Sequence, residues 1–335
     1  MTTTSRVKLG KSGPDVFPIA IGCMGMGSRS WYGDSDEAEN IATIHEALER
    51  GVSLLDTGDF YSMGRNELLV GKALRGRRDQ ALVSVKFGAL RSPDGGHVGY
   101  DARPAAVKNF LAHSLARLGV DHIDIYRPAR LDPHVPIEET VGAIAEMVKA
   151  GYVRHIGLSE VGAATIRRAH AVHPICDVQL EYGLASRGIE STILPTLAEL
   201  GIAVTAYGVL SRGLLAGAKP QGAGDVRSHM PRFAGDNVQK NQVLVDALAR
   251  RAAEHHVTPA QLAIAWVRAK SLAQGVTIVP TVGSRTRQQL ADTLASLDVA
   301  LDSDAVAALE AAVPADQIAG ARYPEAAMRT LDSER

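Results

Sequence analysis

A carboxylate, a phenol and an amine that together could deliver a proton are supplied by Asp56, Tyr61 and Lys86. Asp56 and Tyr61 lie in or just after the apolar run that starts at Val52, and Lys86 lies near the end of the run that starts at Ala81. A free phenol has a pKa near ~10, too high for an efficient acid at neutral pH, but an adjacent ammonium favours the phenolate and lowers that pKa. We therefore expect Lys86 to lower the pKa of Tyr61 and Asp56 to hold Lys86 in place. Such a group suits carbonyl chemistry.

Eight short apolar runs predict the strands that would position these residues. Amphipathic helical segments lie between them, such as those of residues 37–51, 103–119, 137–151 and 192–201, each closed by a glycine. Eight alternations of strand and helix favour one α/β domain over residues 1–335, a (β/α)₈ TIM barrel with its catalytic groups at the strand ends. The predicted strands are Pro18–Gly22, Val52–Asp56, Ala81–Phe87, Ile123–Arg127, Val153–Leu158, Asp177–Leu180, Ile202–Tyr207 and Val276–Pro280.

A doubly wound sheet is the competing architecture. It would carry a G-x-G-x-x-G fingerprint after its first strand, but the glycines between Gly22 and Gly27 are in the wrong order. A glycine-rich stretch from Lys219 to Asp236 interrupts the alternation after the seventh strand. We interpret residues 208–238 as a candidate mobile loop that could cover a bound cofactor.

The composition is that of an ordinary globular protein: 335 residues, 46% hydrophobic and 22% charged, with a formal net charge of −1. This charge gives no broad attraction to nucleic acid or to an anionic membrane, so the expected partner is a small molecule. Cys23 and Cys176 lack metal-site spacing and are expected to be core thiols, and no metal is expected. Without an apolar signal segment or a membrane-length run, the protein is expected to be cytoplasmic, and its oligomeric state stays open.

From the opening VKLGKSGPDV to the segment TRQQLADTL, the chain closely resembles the aldo-keto reductase superfamily. The resemblance implies an NADP-dependent oxidoreductase that reduces an aldehyde or ketone on a (β/α)₈ barrel, with Asp56, Tyr61 and Lys86 as catalytic residues. Tyr61 would donate the proton while the nicotinamide delivers hydride.

The same resemblance implies where NADPH binds. Ser159 of IGLSE and Gln179 of DVQLEY would lie near the carboxamide, Tyr207 would stack on the nicotinamide ring, and the segment from Gly208 to Gly213 would follow the pyrophosphate. Near residue 285, unpaired N–H groups at a helix start would bind a phosphate, and an arginine there favours NADPH over NADH. The full implied cofactor set is Gly22, Met24, Asp56, Ser159, Gln179, Tyr207, Gly208, Leu210, Gly213, Gly283, Ser284, Arg285, Gln289 and Asp292.

The chain departs from the family pattern in the motif IDIYRPARLDP, where Ala129 replaces the histidine that hydrogen-bonds the substrate carbonyl. Losing one such donor can cost ~10²–10³ in rate. The gap could admit a bulkier ketone, another donor could replace the imidazole, or turnover could have been exchanged for cofactor sensing. Arg127 and Arg130 flank the gap without a predicted direction, and His134 is expected in an exposed loop.

Two smaller departures are Glu160 and Thr293, where the family often has asparagine. Trp31 and Tyr32, after the first strand, are expected to line the substrate pocket. An apolar aromatic wall without a fixed charge would suit a bulky alicyclic or aromatic carbonyl.

The sequence is also compatible with two other functions. The same site could oxidise an alcohol, since it catalyses both directions. The alternative from another class is an NADPH-binding redox sensor or regulatory subunit with weak turnover, similar to the potassium-channel β-subunits of the superfamily. The retained Tyr61 and Lys86 favour the reductase.

Overall fold

The structure, a computed structural model, describes residues 5–28, 30–222 and 224–335. Eight parallel strands close into a barrel, and each pairs with the strands before and after it in the barrel sequence. In chain order the barrel strands are β3 Ala20–Gly22, β4 Leu54–Gly58, β5 Leu82–Phe87, β8 Ile123–Pro128, β9 Val153–Ser159, β10 Ile175–Glu181, β11 Ala203–Tyr207 and β12 Ile278–Gly283. The predicted (β/α)₈ fold is confirmed, and each predicted strand is found with ends displaced by at most three residues.

Helices cover the outside of the barrel, and several end where the sequence places a glycine. Gly119 and Gly201 adopt the left-handed conformation that stops the preceding helix. The helices are α1 Glu37–Glu49, α2 Arg65–Ala73, α3 Pro104–Leu118, α4 Ile137–Lys149, α5 Ala163–Val172, α6 Ile193–Leu200, α7 Asn237–Glu254, α8 Pro259–Gln274, α9 Arg287–Ala295, α10 Ser303–Ala312 and α11 Glu325–Met328.

Side chains along β5 alternate between the apolar layer outside the barrel and the lumen inside it. Val83 and Val85 join the large apolar layer between barrel and helices, while Ser84 and Lys86 point into the lumen. The bottom of the lumen is apolar and is closed by the hairpin of β1 Val7–Lys8 and β2 Asp15–Val16. Cys176 lies in this lower cluster and Cys23 in the outer one, so both are core thiols as predicted.

An ion pair spans the middle of the lumen. The Arg127 guanidinium donates to both carboxylate oxygens of Asp177, at 2.8 and 3.1 Å, and to the Ser84 hydroxyl at 3.1 Å. A Cβ on Gly157 would lie 2.9 Å from the Asp177 carboxylate and 3.0 Å from the Arg127 Cζ, so a glycine is needed there. Arg127 therefore points inward, and strand alternation directs Ala129 inward as well, one layer nearer the carboxyl ends.

The segment of residues 208–238 crosses the carboxyl ends of the barrel in three short 3₁₀ turns. It is joined to the loop after β3, because Trp31 O accepts a hydrogen bond from Val226 N at 2.7 Å and Tyr32 bridges Asp225. Its mobility stays a prediction, and Ala223 lies outside the described residues.

Two elements near the strand ends were missed by the sequence reasoning. One is the hairpin of β6 Ala89–Arg91 and β7 His97–Tyr100, which follows β5, and the other is the C-terminal segment of residues 320–335. The run SPDGG at 92–96 is a turn signature that could have predicted the hairpin. Among the described residues, we find no helix with the length and apolar character needed to span a bilayer.

Candidate active site

Asp56, Tyr61 and Lys86 come together at the carboxyl ends of β4 and β5. The Lys86 ammonium lies 2.5 Å from Asp56 Oδ2, and both side chains are almost fully buried. The other Asp56 oxygen accepts from the Ser84 hydroxyl at 3.1 Å and from the Gln179 amide at 2.9 Å. Lys86 Nζ also lies 5.0 Å from the centre of the Tyr61 ring. Asp56 thus holds Lys86 as predicted, beside the phenol.

An unusual turn presents Tyr61. Ser62 and Met63, which follow it, have φ angles of 49° and 57°, and Gly64 has 83°. Left-handed backbone is costly for residues with a side chain and persists only where the surroundings impose it. Asn66 supplies part of that support, since its side chain accepts from the Thr57 hydroxyl and donates to the carbonyls of Cys23 and Met26. The turn is thereby fixed to β4 and to the first loop.

The acidity of Tyr61 differs from the prediction. Burial, and then the Asp56 carboxylate, raise the pKa of Tyr61 well above its ordinary value, while the Arg130 guanidinium acts in the opposite direction. The net direction is therefore opposite to the expected lowering, because burial outweighs the nearby cations. Burial also lowers the pKa of the Lys86 ammonium, an effect that Asp56 opposes.

The predicted pocket wall is aromatic, but it carries fixed charge. The Trp31 ring lies 5.8 Å from that of Tyr61, and the Phe60 ring lies 4.9 Å from it. The Arg91 guanidinium, on β6, covers Trp31 at 4.9 Å and Phe60 at 5.5 Å. The expectation of a wall without a fixed charge is therefore wrong, because β6 belongs to a hairpin that was not predicted. Tyr32 lies farther round the rim, 5.5 Å from the Arg227 guanidinium.

Ala129 is buried where the family pattern has histidine, and Arg130 folds back over it, donating to the Ala129 carbonyl at 2.6 Å. His134 is exposed, as predicted, and its backbone N–H donates to Asp132. Another histidine, His97, lies on β7 with its ring 4.7 Å from that of Tyr100.

Glu160 joins the C-terminal segment to the site. It is buried, has a φ of 51°, and accepts both ends of the Arg322 guanidinium at 3.1 and 2.9 Å. Burial opposes ionisation, but Arg322 outweighs it and lowers the pKa of Glu160 to about 2. Glu160 is therefore a carboxylate that anchors the segment of residues 320–335.

The ionised Glu160 sets the direction of a hydrogen-bond chain. The Tyr207 hydroxyl lies 2.8 Å from Glu160 and must donate its one proton there. The contact of 2.9 Å between the Tyr207 and Tyr323 hydroxyls is then donated by Tyr323. Tyr323 in turn accepts from Arg130 Nη2 at 3.4 Å. Sequence reasoning missed Tyr323 and Arg322, which no periodic pattern distinguishes from the surrounding chain.

Residues at the nicotinamide end fit the implied cofactor. The Ser159 hydroxyl is buried and has no hydrogen-bond partner among the described residues, so it could bond to a carboxamide. Gln179 is one strand away and bonds to Asp56, and the Tyr207 ring is partly exposed at the end of β11. Gly208 and Gly213 have φ angles of 65° and 87°, so the segment that also carries Leu210 turns sharply after the strand.

The residues that the resemblance implies for the adenosine end lie between β12 and α9, while Gly22 is the last residue of β3 and Met24 follows it. Ser284 is buried against Thr293, whose hydroxyls lie 3.2 Å apart, and Arg285 donates to the Tyr32 carbonyl at 3.3 Å. Gln289 accepts from the Arg285 N–H at 3.0 Å. Asp292 accepts from the Gln261 side chain at 2.7 Å and so also supports the start of α8. Gly283 is exposed at the end of β12.

A (β/α)₈ barrel with a buried lysine–aspartate pair beside a phenol at its carboxyl end defines a class of carbonyl oxidoreductases. The model of the Aldo/keto reductase family matches residues 18–314. A curated relative, the probable aldo-keto reductase 1 of Glycine max, is 39% identical over 325 residues, or 95% of this chain and 91% of that protein. This chain belongs to the aldo/keto reductase family, whose members act on carbonyl compounds and generally use NAD(P)H.

Solved structures agree with this assignment. The glycerol dehydrogenase of Gluconobacter oxydans superposes with a TM-score of 0.80 at 26% identity, over 93% of this chain and 95% of that one. An aldo-keto reductase of Bacillus halodurans, solved in its holo form, gives a TM-score of 0.77 at 26% identity, over 93% and 97% of the two chains.

Asp59, two residues before Tyr61, should make stability depend on pH. Burial, and then the Glu67 carboxylate, raise the pKa of Asp59 to about 7. The folded protein then holds a proton that the unfolded chain releases near pH 4, so stability falls as the pH rises from about 4 to 7. Asp59→Asn removes this penalty, and we expect its stability relative to wild type to be roughly 2–3 kcal/mol greater at pH 8 than at pH 5. Urea unfolding at both pH values measures this difference, and an equal difference at both would contradict the assignment.

Proposed function

We propose that this protein reduces an aldehyde or ketone to the alcohol with NADPH, taking hydride from the nicotinamide and a proton from Tyr61. The ion pair of Lys86 and Asp56 is the observation that carries the proposal, because it holds the Lys86 ammonium 5.0 Å from the centre of the Tyr61 ring. The reverse oxidation uses the same residues.

Each side chain of the site has a separate role in this reaction. Asp56 holds Lys86, and the Lys86 charge stabilises the phenolate that remains after Tyr61 has given its proton to the carbonyl oxygen. The ion pair of Arg127 and Asp177 in the middle of the lumen supports this layer through Ser84, which accepts from Arg127 and donates to Asp56. Trp31 and Phe60 exclude water on one side of Tyr61, which strengthens these electrostatic contacts.

The substrate is proposed to be a bulky aromatic or alicyclic carbonyl compound. Two features support this choice: the ring surfaces of Trp31 and Tyr32 beside the site, and the small side chain of Ala129, which leaves room where an imidazole would stand. The cytoplasm is the proposed location.

NADPH consumption is the direct test. Purified protein is assayed with a panel of small aldehydes, bulky ketones and aromatic aldehydes, and nucleotide binding is measured separately by NADPH fluorescence. Turnover with a preference for the bulky compounds is expected. Tight binding without turnover of any carbonyl would instead support the regulatory or redox-sensing function.

Arg285 is expected to select the phosphorylated nucleotide. It forms no ion pair within the described chain, whereas Arg287, two residues later, pairs with Glu39 at 2.9 Å. Arg285→Met should therefore raise the Kd for NADPH by roughly 10–100-fold, the value of a charge-assisted contact, and change the Kd for NADH far less. Arg287→Met is the matched control, with an expected change of less than about threefold. Equal losses for both nucleotides in Arg285→Met would contradict this role.

A further inference from the structure

Two guanidinium groups at the mouth of the site form no ion pair. Arg91, on β6, and Arg130, after β8, each contact backbone or aromatic groups, and neither has a carboxylate partner in residues 5–28, 30–222 and 224–335. Both are half-buried. A cation that has lost much of its water without gaining a carboxylate is costly unless a ligand supplies the missing charge.

Arg91 is held with its donors free. Its guanidinium lies over the rings of Trp31 and Phe60, and its one hydrogen bond within the described part of the chain, to the Gly95 carbonyl, is long at 3.3 Å. Stacking uses the face of the guanidinium and leaves its edge, which carries the N–H groups, available. Both rings also contact Tyr61, so the Arg91 guanidinium is separated from the proton donor by a single layer of aromatic rings.

Arg130 follows β8, the strand that pairs with β5. It donates one N–H to the Ala129 carbonyl and one to Tyr323, and its other three N–H groups have no acceptor among the residues that the structure describes. Tyr323 cannot serve as a donor to substrate, because its proton is used on Tyr207. The free donors beside the Ala129 gap therefore belong to Arg130.

The other arginines near the site are already neutralised or belong to the cofactor side. Arg322 pairs with Glu160, Arg232 with Glu181, and Arg227 with Asp225. Arg212 lies in the segment expected to follow the pyrophosphate. The unbalanced positive charge on the substrate side is therefore that of Arg91 and Arg130.

We propose that Arg91 and Arg130 bind a carboxylate on the substrate, which makes this protein a reductase of carbonyl compounds that carry an acid group on an aromatic or alicyclic body. A guanidinium binds a carboxylate through two parallel N–H groups, and the adjacent rings provide a surface for the flat body of the substrate. A single carboxylate, rather than a phosphate dianion, fits a site whose remaining surface is aromatic. This inference rests on the proposed carbonyl reduction.

A matched pair of substrates tests it. The ratio of kcat/KM for 4-carboxybenzaldehyde over its neutral methyl ester is expected to be at least about tenfold in wild type. Arg91→Met and Arg130→Met should each lower this ratio by roughly 10-fold or more, and the KM of the acid should rise with salt. The exposed variant Arg167→Met, on α5, is the control, and its ratio should match wild type.

A binding measurement separates this inference from the reductase proposal. Calorimetry compares 4-carboxybenzaldehyde with its methyl ester on the protein saturated with NADP⁺, an oxidised pair between which no hydride can pass, so the measurement needs no turnover. Tighter binding of the acid, lost in both arginine variants, supports the carboxylate site even if the panel finds no activity. Equal binding of acid and ester, or a ratio unchanged in both variants, overturns it. Equal loss of kcat on acid and ester in Arg130→Met would also overturn it, because Arg130 would then act on the carbonyl oxygen.

Discussion

Tyr61→Phe is expected to lower kcat for carbonyl reduction by roughly 10²–10⁴-fold, the usual contribution of a positioned general acid. The substitution removes only the hydroxyl, so the ring contacts with Trp31 and Phe60 persist. Nucleotide affinity should therefore change little. Steady-state kinetics with the best substrate of the panel, together with NADPH fluorescence titration, measure the two effects separately.

Tyr126→Phe is the matched control for this prediction. Tyr126 is also buried, but its hydroxyl points to the outer layer, where it donates to the Val107 carbonyl at 3.2 Å. We expect its kcat to stay within about threefold of wild type, with a stability loss of about 1 kcal/mol for the missing hydrogen bond. Full activity in Tyr61→Phe, or an equal loss in both variants, would remove Tyr61 from the role of proton donor.

Arg127→Met is expected to destabilise the protein by about 3–5 kcal/mol, the cost of leaving a buried charge without its partner. Arg127 and Asp177 are both fully buried in the lumen. Among the described residues, the carboxylate would keep the Thr205 hydroxyl at 2.6 Å and the Cys176 thiol at 3.2 Å as its hydrogen-bond donors. The free energy of unfolding, measured by urea titration, gives the loss.

A double variant of the buried pair and a variant of an exposed ion pair serve as controls for this prediction. Arg127→Met combined with Asp177→Leu removes both charges and should recover most of the stability, because a well-packed apolar pair is often as stable as a buried ion pair. Arg167→Met breaks an exposed pair with Glu199, whose side chain is 60% exposed, and should cost at most about 1 kcal/mol. Equal costs for Arg127→Met and Arg167→Met would show that the lumen pair is not energetically distinct.

Much of the architecture was predictable because its causes are local. Short apolar runs separated by amphipathic segments predict each barrel strand, and a parallel arrangement then brings Asp56 and Lys86 to one end of the barrel. The missing histidine at Ala129 is likewise a property of the sequence. The hairpin of β6 and β7 was missed because its strands are short and half-exposed, so their periodicity is weak.

The barrel, the family and the importance of Asp56, Tyr61 and Lys86 could be predicted from the sequence, because strands and their ends follow from patterns among neighbouring residues. Long-range packing places Arg91 over the aromatic wall, points Arg127 into the lumen, and brings Arg322 to Glu160 and Tyr323 to Tyr207. These contacts join residues 31 to 162 positions apart, and their existence depends on side-chain direction and on loops that lack a repeating pattern. Whether two charged side chains so far apart in the sequence meet depends on how the folded chain packs.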